Sequence, residues 1–142
     1  MNFHFRMDRV LHFVALKEDM KKMEVAALIR KLSDLMRIKA RTLEGIRKLL
    51  EANNQALSVD EIQYNSERID ADTAGISDLE NRINETRELL DGKRLELSRV
   101  SQKKRALESL KDKRHHNYRI EEARRVQRET DENYRLQRAV GK

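Results

Sequence analysis

The chain has 142 residues, 39% of them charged and 4% aromatic, with no proline, tryptophan or cysteine and a net charge of +6. Few glycines and abundant Lys, Arg, Glu and Leu point to long helices that bury a seam and exclude a rounded globular core. Without cysteine there are no disulfides and no thiolate metal ligands.

The charge is unevenly spread. Residues 1–57 carry 12 basic and 7 acidic groups, residues 58–91 carry 3 and 10, and residues 92–142 carry 16 and 8. Two basic ends flank an acidic middle, a distribution that steers different partners to different places. No apolar run approaches the ~18 residues of a membrane-spanning helix, and the start MNFHFRMDR lacks a signal-peptide apolar region. A cytoplasmic protein with no direct membrane insertion is expected.

The first helix is predicted over about residues 4–53. Val25, Leu32 and Ile46 repeat on one heptad line, and Leu28, Leu35 and Leu49 on the next. Ile29, Met36, Leu43, Leu50 and Leu57 form a third apolar line, more than a two-stranded seam uses. Either the seam is broad and these residues lap over the second helix, or they form a docking strip for another protein.

The turn is predicted at about residues 54–58. Asn53 and Asn54 tolerate the left-handed conformation that ends many helices. Ser58 stands three residues before Glu61, the spacing of a capping box, with Leu57 and Ile62 at the staple positions.

The second helix is predicted over about residues 59–139. Ile62, Ile69, Ile76, Ile83, Leu90 and Leu97 recur every seventh residue, with Leu79, Val100 and Leu107 on the companion line. A seven-residue repeat held this long specifies a left-handed supercoil with a partner helix. The stretch Asp70-Ala71-Asp72-Thr73-Ala74-Gly75 is locally weak, a tolerated soft spot or a bend.

A short turn between two such helices folds them back antiparallel. The expected fold is therefore all-α, a long two-helix antiparallel coiled-coil hairpin forming one domain, with a carboxy-terminal helical overhang. A parallel dimer of one unbroken helix is the rival, disfavoured by the capping box. Reversal at the turn places residue 3 opposite residue 109, leaving about 32 residues after Leu110, roughly 50 Å of helix, without a mate. That segment holds 10 basic and 6 acidic groups and few large apolar side chains. It is either a frayed tail or a segment ordered by a partner protein.

The chemistry of an enzyme is missing from the pattern. His115 and His116 are adjacent, so on a helix they point about 100° apart and do not share a metal ion. No Gly-rich loop is present to cradle a phosphate. No catalytic residue, metal or cofactor is predicted. Nucleic acid is not an expected partner either, since the basic stretches are interleaved with Glu and Asp and the seam reads as antiparallel. The amphipathic start reads as the end of the seam, with Phe3, Phe5, Met7 and Leu11 as contacts, in preference to a membrane-surface helix.

The opening Phe3-x-Phe5-Arg6-Met7-Asp8-Arg9-Val10-Leu11, running into a charged coiled-coil helix, resembles the start of FliJ proteins. So does the distal stretch Arg105-Ala106-Leu107-Glu108-Ser109-Leu110-Lys111, followed by Arg114, Tyr118 and Glu129-Thr130-Asp131-Glu132. The resemblance spans nearly the whole chain. It implies a non-enzymatic component of the bacterial flagellar type III export apparatus, shaped like the central stalk of a rotary ATPase. The implied partners are the hexameric export ATPase ring, the cytoplasmic domain of the export-gate membrane protein, and substrate-specific export chaperones. The implied location is cytoplasmic, peripheral at the inner membrane. By analogy, Phe3, Phe5, Arg6, Met7, Arg9, Arg114, Tyr118, Arg124, Arg125, Arg128 and Asp131 are the candidate ring contacts. Met36, Leu43, Leu50 and Tyr64 are the candidates for gate or chaperone contact. A generic coiled-coil scaffold or adaptor is the alternative, and a basic nucleic-acid-binding coiled coil a more distant one.

Overall fold

The computed structural model describes residues 2–56 and 58–141. Two helices make up the fold, α1 over Asp8–Asn54 and α2 over Val59–Val140, and no strand occurs among the described residues. The chain divides into two compact units, Asp19–Ser98 and Met1–Glu18 with Arg99–Lys142.

The Asp19–Ser98 unit is an antiparallel helical hairpin. Its seam follows the two heptad lines on each helix, with Val25 and Leu35 of α1 and Ile76, Leu79, Ile83 and Leu90 of α2 buried. Leu35, Leu79 and Ile83 pack as one cluster, with Leu32 against them. Of the polar residues at seam positions that the apolar repeat skips, four have the following partners. Lys21 Nζ lies 2.8 Å from Glu96, Lys93 Nζ 3.2 Å from Glu24, and Lys39 Nζ 3.4 Å from Glu80. Thr86, 2% exposed, turns its hydroxyl back to the Arg82 carbonyl at 2.8 Å. A buried hydroxyl satisfied by its own helix costs the seam little.

The reversal is built differently from the expectation at one point. No described non-glycine residue has positive φ, so Asn53 and Asn54 do not close α1 in the left-handed conformation. The helix tightens instead, Gln55 N–H donating to the Ala52 carbonyl at 3.1 Å and Ala56 N–H to Asn53 at 3.4 Å. Such three-residue bonds satisfy terminal carbonyls without strain. The cap of α2 is as expected, since Glu61 N–H donates to Ser58 Oγ at 3.2 Å. Leu57, at the staple position and at the end of the third apolar line, lies outside the described residues. The weak stretch at residues 70–75 is unbroken helix, with Thr73 Oγ1 donating to the Ile69 carbonyl at 2.7 Å.

In the second unit the amino-terminal part of α1 runs antiparallel to the distal part of α2. Val14 and Leu107 are buried, Glu18 is 5% exposed and takes Lys104 Nζ at 3.1 Å, and Asp8 takes Lys111 Nζ at 2.8 Å. Ahead of α1, residues 2–5 are not helical and residues 6–7 turn. The first helix therefore begins at Asp8, where the sequence placed its start near residue 4.

Candidate partner-docking surfaces

The register places Phe3 against His115, ring centroids 4.8 Å apart and edge-on, and against Tyr118 at 5.6 Å. Residue 3 was expected to face residue 109. The difference of about six residues is close to one heptad. A slip of that size leaves the apolar lines matched, so the polar seam positions choose between registers. In the expected register Lys39 would have faced Thr73, whereas here it meets Glu80.

The amino-terminal candidates are drawn together by this placement. Phe5 is 3% exposed, and the Arg114 guanidinium lies 5.7 Å from its ring centroid. Such a cation–π contact is worth about 0.5–1 kcal/mol at a partly exposed site. Phe3 and Met7 are half-buried, while Arg6 and Arg9 are exposed. Phe3, Phe5, Arg114 and Tyr118 thus form a latch that ties residues 2–5 onto α2. Asp8 extends it, because its carboxyl is held below the usual range by the Lys111 hydrogen bond. Phe5 itself presents almost no surface to a partner. His115 belongs to the latch, although the sequence marked it only as pointing away from His116.

Beyond Tyr118 the seam lines of α2 turn charged, through Glu121, Arg125, Arg128 and Glu132. Every residue from Ala123 to Gly141 is exposed, yet the helix continues to Val140. The projecting segment is therefore about 18 residues, or ~27 Å, shorter than the overhang counted from Leu110. Local pairs sustain it. Arg125 pairs with Glu122, Gln127 Nε2 donates to Asp131 at 3.5 Å, and Arg128 Nε donates to the Arg124 carbonyl at 3.4 Å. Pairs three and four residues apart support exposed helices by a few tenths of a kcal/mol each.

Arg124, Arg128 and Asp131 share one face, and Arg135 and Arg138 continue the same spacing of four and three residues. None of these four arginines has a carboxylate within 4.0 Å among the described residues. Arg135 and Arg138 were missed because the resemblance stopped at residue 132; the spacing alone marks them.

The other candidates lie in the Asp19–Ser98 unit. Ile29, Met36, Leu43 and Leu50 are 44%, 47%, 47% and 52% exposed. The third apolar line is thus only half covered and lies open along α1. A shallow groove runs beside it, lined by Met36, Ala40 and Leu43 on α1 and by Glu80, Asn84 and Arg87 on α2. Tyr64 is 63% exposed. It stands two residues after the seam position Ile62, about 200° around the helix, so it does not join the strip.

No cluster of three metal-ligating side chains occurs among the described residues, and no described helix is long and apolar enough to cross a membrane. No family model, curated protein or solved structure matches the chain.

Proposed function

We propose that this chain is a non-enzymatic, stalk-like component of a bacterial flagellar type III export apparatus. In this reading it binds the export ATPase ring, favours the ring's assembled and active state, and links it to the export gate and to substrate chaperones. It acts in the cytoplasm at the inner-membrane face. The resemblance of the opening and distal motifs is what points to the family. The observation that carries the reading is the projecting helix beyond Glu122, exposed on all sides and lined by Arg124, Arg128, Arg135 and Arg138. A helix with no mate among the described residues, and a row of guanidinium groups with no carboxylate within 4.0 Å there, fits insertion among other subunits, where arginine is a favoured contact.

The mechanism needs no bond chemistry on this chain. A ligand that binds an assembled ring in preference to free subunits shifts the equilibrium towards assembly by its differential affinity. In this division of labour Arg124, Arg125, Arg128 and Asp131 contact the ring, with Arg6 and Arg9 at its rim. Phe3, Phe5, Met7, Arg114 and Tyr118 hold the base of the projecting helix. Met36, Leu43 and Leu50, and separately Tyr64, serve the gate or the chaperones.

The test is ATPase stimulation by the full chain, using the flagellar export ATPase of the same source. Replacing Arg124, Arg125 and Arg128 by Ala, the strongest helix former, is expected to abolish stimulation while circular dichroism stays close to that of the parent chain. Full stimulation by the triple variant would refute the ring-contact assignment. A truncation for this purpose belongs after Glu122. One after Leu110 would also remove Lys111, Arg114, His115 and Tyr118, which hold the amino-terminal segment.

A further inference from the structure

Along α1, within the Asp19–Ser98 unit, one exposed face repeats with the spacing of a second coiled-coil seam. Ala26, Ile29, Ser33, Met36, Ala40, Leu43, Arg47 and Leu50 follow one another at intervals of three and four residues. Large side chains alternate with small ones: Ile29, Met36, Leu43 and Leu50 stand between Ala26, Ser33 and Ala40. None of these is buried by α2. Small residues at every second position of such a face let the backbone of another helix approach closely there. The face is about 36 Å long.

Its flanking charges say which helix. Arg30, Arg37, Glu44 and Glu51 run down one side, seven residues apart, two basic and then two acidic. An antiparallel copy of the same helix, crossing at Ala40, brings Arg30 opposite Glu51 and Arg37 opposite Glu44. The same crossing sets Ile29 against Leu50 and Met36 against Leu43, and places Ala40 against its own equivalent. The apolar and the ionic pairs both centre within half a residue of Ala40, on one two-fold axis. A self-complementary patch of this kind defines an isologous contact.

We infer that a second copy of this chain docks antiparallel on the Ala26–Leu50 face, giving a two-fold symmetric dimer. In the single chain Glu44 and Glu51 are both held by Arg47, at 2.6 and 2.5 Å, and Arg37 is 3.9 Å from Asp34. These are exposed pairs, which exchange partners at little cost. Arg47 lies on the seam line opposite Ser33, where its aliphatic stem covers the small residue. The inference stands apart from the flagellar reading. If both hold, the dimer covers the strip assigned to the gate or the chaperones, and the two interactions exclude each other.

The experiment uses the full chain alone. Sedimentation equilibrium is expected to give twice the 16.8 kDa chain mass, falling to one chain on dilution. Because the protein has no cysteine, Ala40→Cys is expected to form a disulfide-linked dimer under mild oxidation, while Ala26→Cys, far from the axis, does not. Arg37→Glu faces Glu44 of the second copy and is expected to leave a monomer; adding Glu44→Arg restores the dimer. Leu43→Asp is expected to be monomeric with unaltered helicity. A chain that sediments as a monomer at all concentrations overturns the inference and leaves the face to another protein. Cross-linking of Ala26→Cys as fast as Ala40→Cys, or a dimer indifferent to Arg37→Glu, overturns the antiparallel arrangement.

Discussion

Replacing Phe5 by Ala separates the latch from the seam. Phe5 is 3% exposed, and burying such a ring is worth about 2–3 kcal/mol at ~25 cal/mol per Å². The Arg114 contact at 5.7 Å adds about 0.5 kcal/mol. The variant is therefore expected to forfeit about 3 kcal/mol of local binding, roughly a hundredfold in the population of the detached segment. Residues 2–7 precede the first turn of α1, so their release need not unfold either helix; opening is local. Hydrogen exchange reads this directly. The Asp8 amide, which donates to the Phe5 carbonyl at 3.1 Å, should exchange about a hundredfold faster, while amides around Ile83 keep their protection. Equal acceleration at both places, or a melting temperature lowered as far as by a seam truncation, would refute the idea of a separable latch.

Three further outcomes follow from the same packing. Ile83→Ala opens a hole in the Leu35–Leu79 cluster and should cost about 2–4 kcal/mol by urea denaturation; a cost below ~1 kcal/mol would show that the seam collapses to fill it. Asn53 Oδ1 is buried without a hydrogen-bond partner among the described residues, so Asn53→Leu should raise stability by about 1 kcal/mol, read as an upward shift in melting temperature. Glu24 and Glu96 have carboxyls held below their ordinary 4.5, chiefly by Lys93 and Lys21 respectively, and Asp8 below 3.8 by Lys111. A depressed carboxyl stabilises the fold above its unfolded value and loses that contribution as pH falls through the folded one. Melting temperature should hold from neutral pH to about 5 and decline below it; a profile flat down to about pH 3 would remove these ion pairs from the stability of the fold.

The seam was legible in the sequence because its signal is one-dimensional. Ile76, Ile83 and Leu90 recur at seven, and Ser58 precedes Glu61 by three, so helix, seam face and cap follow from spacing alone. The third line was legible as an excess, yet whether α2 would cover Met36 and Leu43 was not, since coverage depends on side-chain reach across a groove. The arginine row was half seen, because Arg135 and Arg138 lay past the resembling motif. The latch was not seen as such. Phe3, Phe5, Arg114 and Tyr118 were marked as residues that meet a partner, and they meet one another.

Composition and period together determined that this chain is all-helical, that it reverses near Asn54–Ser58, and which stripe of each helix is buried. Tertiary structure decided the register and hence where α2 becomes unaccompanied. The reason is a degeneracy: helices with a seven-residue repeat fit almost as well after sliding by seven. Apolar side chains, being non-directional, do not resist that slide. Lys39 on Glu80, Lys104 on Glu18 and Lys111 on Asp8 do, because a charge moved past its mate is left without one.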